Sequence, residues 1–138
     1  MSGAVIAMDT ATGFTSVAAM VGGRVESEFR WLGADGRPQH SSWLLDGLSE
    51  VMARCGIGYS DIGTVAVGLG PGSFTGVRVG VAAARGIAAG SGANMVGVGT
   101  LRALLGPTAG ADRPVAAIID ARRHEVFIQV RGASGGSA

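Results

Sequence analysis

The chain has 138 residues, a formal net charge of +1, 47% hydrophobic and 15% charged residues. That is long enough for one domain with a real core and too apolar for a disordered chain. The charge balance excludes a protein that grips nucleic acid by itself through a basic stripe. A single cysteine, Cys55, excludes an internal disulfide framework. Its apolar helical position reads as a buried, inert thiol.

The opening stretch, Met1 to Thr10, lacks the basic leader of a signal peptide. Ala4–Met8 reads as a buried strand, followed by turn chemistry in Asp9-Thr10-Ala11-Thr12-Gly13. Phe14–Val21 is a second strand, Gly22-Gly23 a hairpin turn, and Arg24–Trp31 a third strand. Its alternation puts Val25, Ser27, Phe29 and Trp31 on one side and predicts that Arg24, Glu26, Glu28 and Arg30 face water. A polar loop over Gly33–Gln39 leads to a helix capped by Ser41 or Ser42 and ending near Cys55. In it Leu44, Leu45, Leu48, Val51 and Met52 follow helical spacing, and Glu50 and Arg54 form a favourable pair. Gly56 is placed to end it in a left-handed conformation.

Thr64–Leu69 is a near-continuous apolar strand of the parallel, buried kind. "GLGPGSFTGVRVGVAAARGIAAG" follows, a glycine-studded turn running into a helix over Thr75–Ala89. Met95–Val98 is a short strand, Thr100–Leu105 a brief helix, and Gly106–Arg113 a loop. Pro114–Ile119 and Glu125–Arg131 are two further strands, with Asp120-Ala121-Arg122-Arg123 as their turn. "GASGGSA" closes the sequence as a low-complexity tail.

The order is an α/β pattern, β-β-β-α-β-α-β-α, in which an antiparallel meander joins a parallel portion flanked by helices. This is the pattern of a ribonuclease-H-like lobe. Residues 1–110 are read as that lobe, 111–131 as the beginning of a second lobe, and 132–138 as a disordered tail. The apolar helices are too short or too interrupted by charge to span a bilayer, and the cytoplasm is the expected compartment.

Several chemistries are excluded. "GPGSFTG" lacks the lysine of a P-loop, and every basic residue in the chain is arginine. Gly70, Gly72 and Gly76 have the wrong spacing for a dinucleotide fingerprint. Ser73 lies in no nucleophile elbow. His40 and His124 are isolated, so no metal centre and no hydrolase triad is expected.

Two readings of the loop stand. Asp9 with Thr10, Gly70, Gly72 and Ser73 forms an anion or nucleotide loop, with backbone N–H groups at the positive end of a helix. Alternatively Asp9 closes its own turn, Pro71 and the glycines make a sharp corner, and Ser73 or Thr75 caps the helix.

The helix itself has only Arg78 and Arg85 as charges. Gly76, Gly80, Ala83 and Ile87 share one small ridge, beside Val77, Val81, Ala84 and Ala88. Such a helix must be covered on more than its sheet side. Gly80 and Gly86 each cost roughly 1 kcal/mol against alanine. Close approach of another helix offsets that cost, or the glycines reflect codon bias alone.

"GLGPGSFTGVRVGVAAARGIA", "MDTATGFTSVA", "RPQHSSWLLDGL" and "DARRHEVF" together resemble the TsaB (YeaZ) family of bacteria. The resemblance implies the two-lobed actin-like ATPase fold and a cytoplasmic accessory subunit of tRNA threonylcarbamoyladenosine synthesis. It implies a non-catalytic protein, with no cofactor, that pairs with a TsaD-like transferase and recruits a TsaE-like P-loop ATPase. A homodimer is the alternative pairing, and no direct tRNA binding by this chain alone is expected. The two metal-binding histidines of TsaD-like proteins correspond to Thr100 and Leu104, neither of which can ligate a metal. Pairing through the first two helices implies an interface at Leu44, Leu45, Leu48, Gly80, Ala83, Ala84 and Ile87. TsaB-like chains have a fuller second lobe than the two strands seen here. The alternative functions are a nucleotide-binding enzyme using Asp9 and the glycine turn, and a glycoprotease-like peptidase.

Overall fold

The computed structural model describes residues 3–30 and 40–133. The loop expected over 33–39, Trp31 and most of the expected tail lie outside the described residues. The elements follow the predicted order. They are β1 (Ala4–Asp9), β2 (Thr15–Val21), β3 (Arg24–Arg30), α1 (His40–Cys55), β4 (Ile62–Gly68), α2 (Phe74–Ser91), β5 (Asn94–Val98), α3 (Thr100–Leu105), β6 (Val115–Arg122) and β7 (Glu125–Arg131). A 3₁₀ turn at Tyr59–Asp61 precedes β4, and another at Gly106–Thr108 follows α3.

β1 to β5 form one sheet in the order β3-β2-β1-β4-β5. β1 pairs antiparallel with β2 and parallel with β4, so the meander and the parallel portion meet at β1. The carboxyl ends of β1, β4 and β5 therefore lie together at one edge of the sheet. Alternate residues of the central strands, Ile6, Met8, Val17, Ala19, Val65 and Val67, are buried under α1 and α2. Leu44, Leu48, Val51 and Met52 of α1 and Ala84 and Ile87 of α2 complete that core. Burying side chains of this size stabilises by about 1.5–3 kcal/mol each, which holds both helices on one face.

The helix ends follow their local chemistry. Ser73 caps α2 by accepting a hydrogen bond from the Gly76 N–H, and Gly92 ends it at φ 72°. Gly56 follows α1 at φ 66°. Glu50 and Arg54 pair at 2.6 Å along the surface of α1.

One expectation is overturned in part: Arg24 faces water as expected, its side chain 67% exposed, but Glu26 does not. Glu26 stands opposite Ala19 in the ladder, on the face that α1 covers, and its side chain is only 23% exposed. Val25 stands opposite Met20 on the outer face and is 59% exposed. Alternation gives the period of a strand but not which of its faces is covered. Here β2 decides, because Thr15, Val17 and Ala19 are its buried residues and the ladder carries their neighbours inward. Glu26 tolerates the position by accepting from Arg24, at 2.5 Å.

β6 and β7 form a separate two-stranded sheet. Ala117 and Ile119 pack on Leu101 and Leu105 of α3. Arg131 fastens the end of β7 to the lobe by donating to the Leu105 carbonyl at 2.6 Å. The opposite face, with Ile118, Val126, Ile128 and Val130, is exposed. The turn begins three residues later than predicted: β6 runs on to Arg122 instead of Ile119, and Arg123-His124 turn the chain. Cys55 is half-buried rather than buried.

Candidate functional site: the glycine corner and the outer face of α2

Two places carry the residues singled out in the sequence. The first is the corner where β1, β4 and β5 end. Glycines recur every fourth residue through it, at Gly68, Gly72, Gly76 and Gly80. Each lets the loop and α2 approach the turn after β1. Asp9 lies over Gly68, the Ala11 carbonyl over Gly72 and the Thr10 carbonyl over Gly76, each where a Cβ would stand. A Cβ on Gly80 would come within 2.6 Å of Thr10 Oγ1.

The polar groups of the corner are spent on one another. Ser73 N–H donates to the Ala11 carbonyl at 2.6 Å, and Thr10 Oγ1 donates to the Gly76 carbonyl at 2.6 Å. The Asp9 carboxylate accepts the Ala11 N–H at 2.8 Å and the Thr100 hydroxyl at 2.7 Å. Thr100 in turn accepts the Gly70 N–H at 3.2 Å and donates its own N–H to the Gly70 carbonyl at 2.9 Å. Of the residues read as an anion or nucleotide loop, Asp9, Thr10, Gly70 and Ser73 thus make internal hydrogen bonds. Gly72 packs against backbone. These are the contacts of a tight corner that joins β1, the loop and α3.

Thr100 and Leu104, which the resemblance places where metal-binding histidines would stand, do not fit a divalent metal. Thr100 is 3% exposed and its hydroxyl is doubly hydrogen-bonded, and Leu104 is apolar and half in solvent. Among the described residues no three His, Cys, Asp or Glu side chains converge. Sequence reasoning marks Thr100 as a helix start and a missing ligand, and its role as the pin of the corner rests on partners distant in the chain. Thr100→Val keeps the shape and removes the hydroxyl. It leaves the Gly70 N–H and one Asp9 oxygen without partners and is expected to cost about 2–3 kcal/mol. Chemical denaturation of the purified chain measures this.

The second place is the outer side of α1 and α2. The expected partner contacts divide here. Leu44, Leu48 and Ala84 are 0–1% exposed, and Gly80 is buried against Thr10 and Val67. The expectation that these four meet a partner is corrected, because this chain's own sheet already covers them. Leu45, at 48% exposure, and the half-buried Ala83 remain on the surface, with the rim of Ile87 between them. They line a cavity of about 430 Å³ together with Tyr59, Gly86 and Gly90. Its lining is apolar and small on the α2 side. Nothing lies within 4 Å of a Cβ built on Gly86 or Gly90. Tyr59, Gly86 and Gly90 were not among the predicted contacts. The outward i, i+4 spacing of Gly86 and Gly90 was the available signal.

A five-stranded mixed sheet with α1 and α2 on one face, and a second sheet begun by β6 and β7, defines the lobe of an actin-like, ribonuclease-H-like protein. Residues 35–134 match the family model described as TsaD: tRNA N6-adenosine threonylcarbamoyltransferase, and the chain belongs to this family, on its TsaB (YeaZ) side.

Among curated proteins it is similar to the tRNA threonylcarbamoyladenosine biosynthesis protein TsaB of Escherichia coli. Identity is 38% over 126 residues, covering 89% of this chain and 52% of that protein. A tRNA N6-adenosine threonylcarbamoyltransferase of Jannaschia is 39% identical over 88 residues, covering 62% of this chain and 24% of its own. Among solved structures, YeaZ from Pseudomonas aeruginosa superposes with a TM-score of 0.80 at 30% identity. The match covers 96% of this chain and 60% of YeaZ. The chain thus spans about half the length of the curated TsaB relatives it matches. No helix among the described residues is long and apolar enough to cross a membrane.

Proposed function

We propose that the chain is a non-catalytic accessory subunit of the tRNA threonylcarbamoyladenosine modification machinery. It docks a TsaD-like transferase through the α1–α2 face and helps to place a TsaE-like P-loop ATPase beside it. The observation that carries this reading is the open groove between Leu45, Tyr59, Ala83, Gly86, Ile87 and Gly90. An exposed apolar groove walled by glycine suits the close approach of another helix. The names of the curated relatives supply the pathway.

The non-catalytic part of the reading rests on the corner. Its serine, threonine and aspartate side chains are committed to hydrogen bonds inside the chain, and among the described residues no basic side chain hydrogen-bonds within it. A nucleophile–base pair of the kind a peptidase needs is not assembled there.

Reconstitution tests the proposal. The chain, a TsaD-like transferase, a TsaE-like ATPase and unmodified tRNA are combined with threonylcarbamoyl donor, and modified nucleoside is measured. Product is expected only when the transferase is present, and more of it when the chain is added. Product formed by the chain without the transferase, or no effect of adding it, would overturn the assignment.

A further inference from the structure

The docking role proposed above leaves open what selects the partner, and α2 carries a feature that bears on this. Its only charges are Arg78 and Arg85, with no acid among its residues. Seven residues apart, they lie on the same side of the helix, about 10 Å from each other along its axis. Both are exposed, and neither makes an ion pair or hydrogen bond among the described residues. The Arg78 guanidinium lies 5.3 Å from the centroid of the Phe74 ring, which is itself 76% exposed. Ala82, Gly86, Ala89 and Gly90, all exposed, fill the helix surface between these arginines and the α1 side of the groove. A helix seated on those small residues therefore has Leu45 of α1 on one flank and the two arginines on the other.

Charge decides which helix fits. One that brings lysine or arginine to that flank is repelled, and one that brings carboxylates gains charge-assisted pairs beside a dehydrating apolar contact. A second copy of this chain supplies little. On α1, Glu50 is held by Arg54, which leaves Asp46 as the one unengaged carboxylate among the described residues of that helix. The other nearby acid, Asp61, accepts the Gly58 N–H. A symmetric pairing would then leave one arginine of each copy without a counter-charge.

We infer that the occupant of this face is a helix of a different protein, bearing a bulky apolar residue for the groove and two carboxylates about two turns apart. Arg78 and Arg85 are the specificity-determining residues that favour it over a second copy. This rests on the docking role proposed above.

The test is calorimetric titration of the purified chain with a tRNA N6-adenosine threonylcarbamoyltransferase at about 50 and about 500 mM salt, with light scattering of the chain alone. The Arg78→Glu/Arg85→Glu chain, checked for folding by circular dichroism, is expected to bind about a hundredfold more weakly at low salt. The Arg78→Lys/Arg85→Lys chain is expected to keep most of the affinity, and the wild-type affinity to fall as salt rises. Wild-type binding that ignores both the charge reversal and the salt would overturn the inference while leaving the docking role intact. Absence of wild-type binding would overturn both. Dimerisation of the wild-type chain alone, with the same dependence on the two arginines, would overturn the choice of a different protein.

Discussion

Gly76→Ala is expected to destabilise the chain by about 3 kcal/mol, whereas Gly86→Ala, ten residues further along the same helix, is expected to stabilise it by about 1 kcal/mol. Both are glycines of α2, Gly76 in its first turn and Gly86 in its interior, and helix propensity alone predicts a gain at each. The difference lies in what the added methyl group meets. At Gly76 it would occupy the place of the Thr10 carbonyl, which is backbone and cannot turn aside. The Thr10 hydroxyl is bound to the Gly76 carbonyl at 2.6 Å, and Ser73 N–H to Ala11 at 2.6 Å. Moving α2 away to admit the methyl would stretch both bonds and open the buried contact of Ala84 with the sheet. At Gly86 the methyl meets nothing within 4 Å. Urea denaturation of the two variants beside the wild type measures the contrast. Equal effects of the same sign would mean that the corner is not as tightly closed as described.

Gly86→Leu is expected to weaken binding of the TsaD-like transferase by about a hundredfold, roughly 2.7 kcal/mol, without lowering the thermal stability of the isolated chain. The substituted side chain would project over the groove that Leu45, Tyr59 and Gly90 line, and fill the space a partner helix needs. It has no buried neighbour to displace, and leucine is the better helix former. Gly80→Leu does not serve this purpose. Its Cβ would stand 2.6 Å from Thr10 Oγ1, inside the chain, so lost binding there would follow from damage to the fold. A Gly86→Leu chain that binds as tightly as wild type, while remaining folded, would remove this groove from the interface.

The two glycines also show what the sequence could and could not convey. The order of elements was legible because each boundary carries its own local chemistry: Ser73 as a cap, Gly56 and Gly92 as left-handed stops, Gly22-Gly23 as a hairpin turn. The absence of a polar face on α2 was legible as well. What covers that helix was not, because periodicity counts apolar residues without saying which molecule packs on them. Leu44, Leu48, Gly80 and Ala84 satisfied the pattern of a partner interface and are buried in the chain's own core. The four-residue spacing of Gly68, Gly72, Gly76 and Gly80, continuing from strand through loop into helix, was the sign that one side of this segment faces the turn after β1. The orientation of β3 was lost for a similar reason. Val25 and Glu26 alternate as any strand residues do, and only the pairing with β2 decides which of them lies under α1. The pinning role of Thr100 could not be read, since its partners Asp9 and Gly70 lie 91 and 30 residues away.

The apolar outer side of α1 and α2 is proposed as the docking face for a TsaD-like transferase. Size-exclusion chromatography with light scattering, on the chain mixed with that transferase, tests it most directly. A one-to-one complex is expected with the wild-type chain and is expected to be lost with Gly86→Leu. Two proteins that elute separately, or a complex that the groove-filling substitution leaves untouched, would contradict it.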